Sequence, residues 1–261
     1  MIRARQAPAA LAALASVCLG LLPAPPAAAG AGTPSAEEII AAVYEANGGD
    51  TWRRPQSLYL EGYGIFWPDG TEASRVVADR YRMWREYAPE SADAHLANGK
   101  VRIDSYVGGE TMFQIAFDGE TAYNADGPIP GGAASPQWKN SFGFGIIRYA
   151  LDEGFTLERL PDDTVEGHAA WFVRVTDPAG SETIFGIDKD DYAVRMVGFD
   201  TPKGWHRRHY SDFVTGDDTG WRQPRLVRLY YDGVKQNEIH WQGFRVNEPV
   251  ADEVFVLPAD D

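Results

Sequence analysis

From Gly180 to Pro258 the chain reads as strand after strand, interrupted only by turn residues. The stretch closes on Arg245-Val246-Asn247-Glu248-Pro249-Val250-Ala251-Asp252-Glu253-Val254-Phe255-Val256-Leu257-Pro258. Its strands are rich in aromatic and aliphatic residues, which fit a pleated, half-buried surface. No residue set spaced for catalysis punctuates them. So much sheet with so little chemistry points to holding a ligand rather than transforming one.

The preceding residues extend the same pattern. Ser35 followed by Glu38 is a capping box, and Ile39, Ile40, Val43 and Ala46 recur at helical spacing until Gly48-Gly49 stops them. Leu58 to Phe66 and Glu72 to Tyr87 read as strands joined through Pro68-Asp69-Gly70. In the second, Val77, Asp79, Tyr81, Met83 and Arg85 are expected on one face. Arg102 to Val107 and Thr111 to Phe117 flank Gly108-Gly109, a two-residue hairpin signal, and Asp232-Gly233 joins the last two strands in the same way. Asn124 to Ser135 reads as a surface loop, and Trp138 to Leu151 as a second helix, apolar nearly all round. The expected fold class is mainly β (α+β). About ten to eleven antiparallel strands form one large curved sheet, an open or half barrel with helices packed on its concave side.

The N-terminus predicts export. Arg3 and Arg5 precede an apolar run from Ala7 to Leu22, a Pro-rich break and small residues through Ala31, the pattern of a cleaved signal peptide. Residues 1–31 are therefore expected to be the leader and residues 32–261 a single domain. The only cysteine, Cys18, lies within the leader, with Val17 where a lipidation signal needs a small residue. The mature chain then has no disulfide, and its own core must stabilise it. About 230 residues suffice for one β-rich domain.

Removing Arg3 and Arg5 takes the formal net charge from −14 to −16. That balance argues against nucleic acid, whose phosphates require Lys and Arg, and against docking on anionic lipid surfaces.

The order of several short motifs resembles that of the periplasmic lipoprotein carriers, the lipoprotein localization factor superfamily. They are Glu45-Ala46-Asn47-Gly48-Gly49, Phe117-Asp118-Gly119, Val165-Glu166-Gly167 before Trp171-Phe172-Val173, Gly186-Ile187-Asp188 before Tyr192, and Val246-Asn247-Glu248-Pro249. The likeness covers most of residues 36 to 258. It implies an open barrel closed by helices around an apolar cavity, a periplasmic location, and an apolar ligand such as a lipid acyl chain or a lipoprotein. It also implies a possible envelope membrane-protein partner; no cofactor is expected. It supplies no binding residue.

Motifs with chemical potential read more simply. His206 and His209 fall on opposite faces of a strand, so joint metal ligation is not expected. Asp188-Lys189-Asp190-Asp191 has Ala193 where a calcium loop needs its glycine. Asn140-Ser141-Phe142-Gly143 is similar to a nucleophile elbow, but Lys139 stands in the place of the first glycine. His95, His168 and His240 are expected as surface or strand residues. No catalytic or metal site is therefore assigned.

The aromatic load is left to explain. Eight Trp, twelve Tyr and twelve Phe all follow the leader; they fill either an ordinary core or a cavity wall. The expected lining is Trp138, Phe142, Phe144, Ile147 and Leu151 from a lid segment, opposed by Tyr63, Ile65, Tyr81 and Met83 from the early strands. Three functions remain open: a carrier of an apolar ligand in a half-barrel cavity, used for outer-membrane lipoprotein or lipid sorting; an envelope sensor that binds another protein; and a secreted hydrolase.

Overall fold

Ser35 begins the ordered fold as a reciprocal cap. Its backbone N–H donates to the Glu38 carboxylate at 2.8 Å, and the Glu38 N–H donates back to the Ser35 hydroxyl at 3.2 Å. This opens α1 (Ala36–Asn47), whose buried face is Ile39, Ile40, Val43, Tyr44 and Asn47. The apolar stripe thus continues through Tyr44 rather than Ala46, which is exposed. Asn47 ends it by donating to the carbonyls of Val43 and Tyr192. Gly48, at φ 129°, turns the chain into the short α2 (Gly49–Arg53). The computed structural model describes residues 32–216 and 218–257; the expected leader, Cys18 and Pro258 lie outside them. All the helices and strands belong to the unit Pro34–Asp261. No helix among the described residues is long and apolar enough to cross a membrane.

Thirteen strands form one antiparallel sheet. The first six are β1 (Ser57–Phe66), β2 (Val76–Glu86), β3 (Lys100–Val107), β4 (Glu110–Phe117), β5 (Ala122–Asn124) and β6 (Gly127–Ile129). The remaining seven are β7 (Thr156–Val165), β8 (His168–Thr176), β9 (Glu182–Asp188), β10 (Val194–Thr201), β11 (Gly204–Thr215), β12 (Arg222–Tyr231) and β13 (Val234–Val246). The spatial order is β6-β5-β4-β3-β2-β1-β13-β12-β11-β10-β9-β8-β7. One meander runs outward from β1 to an edge, a second returns from the opposite edge, and the first and last strands pair in the middle, Leu58 opposite Val246. The edges β6 and β7 do not pair, so the barrel stays open.

The expected strand count was low for local reasons. β5 and β6 are three residues each, β5 ending where the stretch read as a loop begins and β6 lying within it. β7, with the sequence TLERLPDDTV, carries mostly polar residues. The hairpin signals correspond to tight turns: Gly108 and Gly109 have φ of 59° and 88°, Asp232 and Gly233 47° and 82°, the pair of positive values that a two-residue turn matching the strand twist requires.

Laid flat, thirteen strands would span roughly 60 Å at about 4.8 Å each. Yet α1 packs into one core with Leu58 and Leu60 of β1, Val173 of β8, Phe185 of β9, Phe199 of β10, Tyr210 of β11 and Trp241 of β13. One continuous core draws on strands from both halves of the sheet only if the sheet curls around it. Residues 130–155 must connect one edge of the sheet to the other, and they do so as a strap over the inner face. The strap is not the α-helix expected for Trp138 to Leu151. It is a run of turns followed by a 3₁₀ segment, Phe144–Tyr149. Gly143 lies against the Phe199 ring, where an added Cβ would fall 2.4 Å from a ring carbon. Apolar side chains surround the strap because it is sandwiched between the sheet and the helices: the Tyr44 hydroxyl of α1 donates to the Ile147 carbonyl at 2.8 Å.

Candidate functional site

Between strap and sheet lies a cavity of about 320 Å³. Leu58 and Leu60 of β1, Tyr81 and Met83 of β2, and Ile239 and Trp241 of β13 form one wall. Trp138, Phe142 and Phe144 of the strap, with Trp52 of α2, form the other. The aromatic rings brace one another. Tyr81 lies 5.5 Å from Trp241 and 6.2 Å from Phe113, and Phe144 lies 4.9 Å from Tyr210 and 6.2 Å from Trp52. Burial pushes the Tyr81 phenol up to about 12. The Trp138 indole N–H is satisfied by the Ala116 carbonyl at 3.2 Å, which fixes the ring on the β4 side of the cavity.

Of the nine residues expected in the lining, five border the cavity: Tyr81, Met83, Trp138, Phe142 and Phe144. Four do not. Tyr63 and Ile65 belong to the other face of β1, where Tyr63 stacks on the His240 ring at 4.5 Å. The inward positions of β1 are Leu58, Leu60, Gly62, Gly64 and Phe66. The β1–β2 register slips between Gly62 and Gly64, so Tyr81 pairs with Gly62 but Ala78 pairs with Gly64. The single face expected to run from Val77 to Arg85 is therefore broken by a bulge, and Ala78 rather than Val77 is buried. Ile147 is fully buried in the core under α1 and does not reach the cavity. Leu151, just past the 3₁₀ segment, is exposed.

The cavity wall also carries charge that periodicity did not anticipate. No Asp or Glu lines it, although the chain holds 38 acidic residues. Four arginines do: Arg85, Arg148, Arg208 and Arg222. Arg222 is paired with Asp191. The other three have no carboxylate partner among the described residues. Arg85 donates to the Asn98 carbonyl at 3.2 Å, Arg148 to the Trp52 carbonyl at 2.8 Å, and Arg208 to the Ser141 carbonyl at 3.0 Å. Arg85 and Arg148 both face the Tyr87 ring, at 5.1 and 5.3 Å. Burial depresses the pKa of both guanidiniums, and the positive charges of Arg148 and Arg208 depress that of Arg85 further. Arg148 offered a sequence signal, being the one charged residue within the apolar run from Phe142 to Leu151.

A second depression, about 540 Å³, shares Tyr87 with the cavity. Arg54, Glu86 and Glu248 among its walls would set charged groups, two of them acidic, against an occupant, unlike the acid-free cavity.

The motifs weighed for catalysis have structural partners. The Ser141 hydroxyl donates to the Gln137 carbonyl at 2.9 Å. Asp188 and Asp190 sit at the β9–β10 turn, where Asp188 pairs with Arg195 and His168. His209 faces Glu166 at 2.8 Å and His240 faces Glu238 at 2.7 Å. His206 is on the inner face of β11 and His209 on the outer. His95 contacts the Thr183 hydroxyl at 3.1 Å.

No family model matches the chain, and no curated protein matches it. Solved structures do. A LolA superfamily protein from Nitrosomonas europaea aligns over 86% of this chain and 98% of its own, at 11% identity and a TM-score of 0.54. A DUF1329 family protein from Desulfovibrio piger aligns over 85% of this chain and 98% of its own, at 12% identity and a TM-score of 0.50. The open thirteen-stranded sheet with its covering helices is thus the fold shared with that LolA superfamily protein and with the DUF1329 family protein.

Proposed function

We propose that this protein is a periplasmic binding or carrier protein that holds the apolar chain of a lipid or lipidated protein between the strap and the sheet. The observation that carries this reading is the cavity itself: a partly open, acid-free, aromatic-walled space with a few convergent polar groups, the usual character of a ligand site. The shared LolA-superfamily fold supports it. So does the strap, whose glycines Gly143 and Gly145 allow backbone adjustment as a ligand enters. The periplasmic location rests on the Arg3/Arg5 leader. A membrane protein of the envelope would act as donor or acceptor. The roles assigned to the cavity residues are binding roles, and no catalytic step is invoked.

The test is direct. Protein recovered from the periplasm is extracted with organic solvent, and the extract is analysed by mass spectrometry. In parallel, ligand-free protein is titrated with a fluorescent fatty acid. A copurifying lipid or saturable uptake is expected. Protein that carries no lipid and takes up no acyl probe would overturn the reading.

A further inference from the structure

We infer that the cavity selects a single-chain amphiphile with an anionic head group, held by the guanidiniums of Arg85, Arg148 and Arg208. The inference deepens the carrier reading and rests on it. Three observations converge.

The first is charge. A guanidinium cannot shed its proton inside a protein, so burial without a counter-charge leaves a standing cost. Arg148 is only 3% exposed, and Arg85 leaves its Nε–H without any partner. Each of the three spends a donor on one backbone carbonyl, out of five available. Neighbouring arginines such as Arg222 and Arg228 have carboxylate partners. Arg75, Arg80 and Arg207 also lack one among the described residues, but they do not line the cavity, so the unpaired guanidiniums inside it are these three.

The second is convergence. Arg208 bonds Ser141 and Arg85 lies 4.8 Å from the Phe142 ring, while Arg148, itself on the strap, lies 5.4 Å from the Phe144 ring and shares the Tyr87 ring with Arg85. An anion placed there would relieve their mutual repulsion. The planar forks suit the paired oxygens of a carboxylate or phosphate.

The third is size. A cavity of about 320 Å³ lies at the small end of the roughly 300–1,000 Å³ range of ligand pockets, which suits one chain better than several. The occupant is therefore a single chain with an acidic head, such as a fatty acid or a phosphate monoester of an alkyl chain.

Calorimetric titration of the full mature chain with laurate, dodecyl phosphate, dodecanol and dodecylamine tests this without any substitution. Laurate and dodecyl phosphate should bind about tenfold or more tighter than dodecanol, the difference expected from hydrogen bonds to charged groups, and dodecylamine should be weakest. The tighter of the two anions names the source, a free fatty acid or a phospholipid-derived head. Arg85→Met should weaken the two anions severalfold more than it weakens dodecanol, since Arg148 and Arg208 remain. Dodecanol binding as tightly as laurate would overturn anion selection and leave the carrier reading intact. An Arg85→Met loss shared equally by all probes would also overturn it, because a purely structural role predicts that. No binding of any probe would remove the carrier reading and this inference together.

Discussion

The guanidinium of Arg208 on β11 donates to the carbonyl of Ser141 on the strap at 3.0 Å, joining residues 67 positions apart in the chain. This contact ties the strap to the inner face of the sheet at the point where it bends before its 3₁₀ segment. Arg208→Met keeps the stem and removes the bond. A hydrogen bond from a charged donor contributes about 1.5–3 kcal/mol, so local opening of the strap should become easier by that amount. Amide exchange across residues 138–148 should accelerate while the strands of β8 to β10 keep their protection. Uniform acceleration everywhere would mean that Arg208 supports the whole fold rather than the strap.

Phe144 separates a filled core from a cavity wall. Its ring contacts Trp52 and Tyr210 on one side and borders open space on the other. Truncating a fully packed aromatic costs about 3–5 kcal/mol, and Phe185→Ala, at a fully buried site in the core, should cost that much. Phe144→Ala should cost less, because part of the space beside it is already vacant, and it should weaken uptake of a fluorescent fatty acid. Urea unfolding of both variants gives the comparison. An equal loss for the two would mean that Phe144 is ordinary core.

Gly62 marks where the two meanders join. A Cβ there would fall 1.9 Å from the His240 carbonyl oxygen, a backbone atom that cannot rotate away. Gly62→Ala must therefore spread the β1–β13 pair at its bulge. Overpacking of this kind costs about 1–3 kcal/mol and sometimes more. Gly108→Ala meets no atom within 4 Å, so it reports only the backbone strain of its φ of 59°. Urea midpoints should rank Gly62→Ala well below Gly108→Ala, and the reverse order would show that the bulge can absorb a methyl group.

These sites show what could be read in the sequence and what could not. The capping box of Ser35 and Glu38 and the hairpins at Gly108-Gly109 and Asp232-Gly233 depend on neighbours within a few residues, and they were legible; the open, curved antiparallel sheet was legible from the run of short-connected strands and from the family resemblance. The facing of β1 was not. Its two sides both carry large apolar residues, Leu58 and Leu60 against Tyr59, Tyr63 and Ile65, so alternation alone cannot choose the inner face. The choice is made by Gly62 and Gly64, whose missing side chains leave room for the His240 carbonyl and for Phe66 and Ile239. The strap misled for a related reason. An all-round apolar pattern signals burial on every side but not whether the backbone is helical, and the edge-to-edge crossing that buries it is a property of the topology. The three unpaired arginines were invisible because ion pairing depends on which acids fold nearby.

The remaining prediction concerns acid. His206 is 1% exposed, with its ring stacked 4.3 Å from Phe199 and edge-on to Tyr231 at 5.2 Å, while His95 stacks on Phe199 as well. Burial, aided by the positive charge of Arg208, drives the His206 imidazole down to about 2. In the unfolded chain it titrates near about 6.5. Between those values the unfolded chain binds a proton that the folded chain refuses, so stability is full above the unfolded value and falls as the pH drops below it. The slope approaches about 1.4 kcal/mol per pH unit, or about 2 kcal/mol between roughly pH 6.5 and 5. His95 and His209, also depressed mainly by burial, act in the same direction. The informative quantity is therefore the difference between wild type and His206→Phe, which keeps a flat ring against Phe199. Urea unfolding at the two pH values should show the wild type losing about 2 kcal/mol more than the variant. Identical losses would mean that His206 is protonated within the fold, with a rearranged partner at its Nε2.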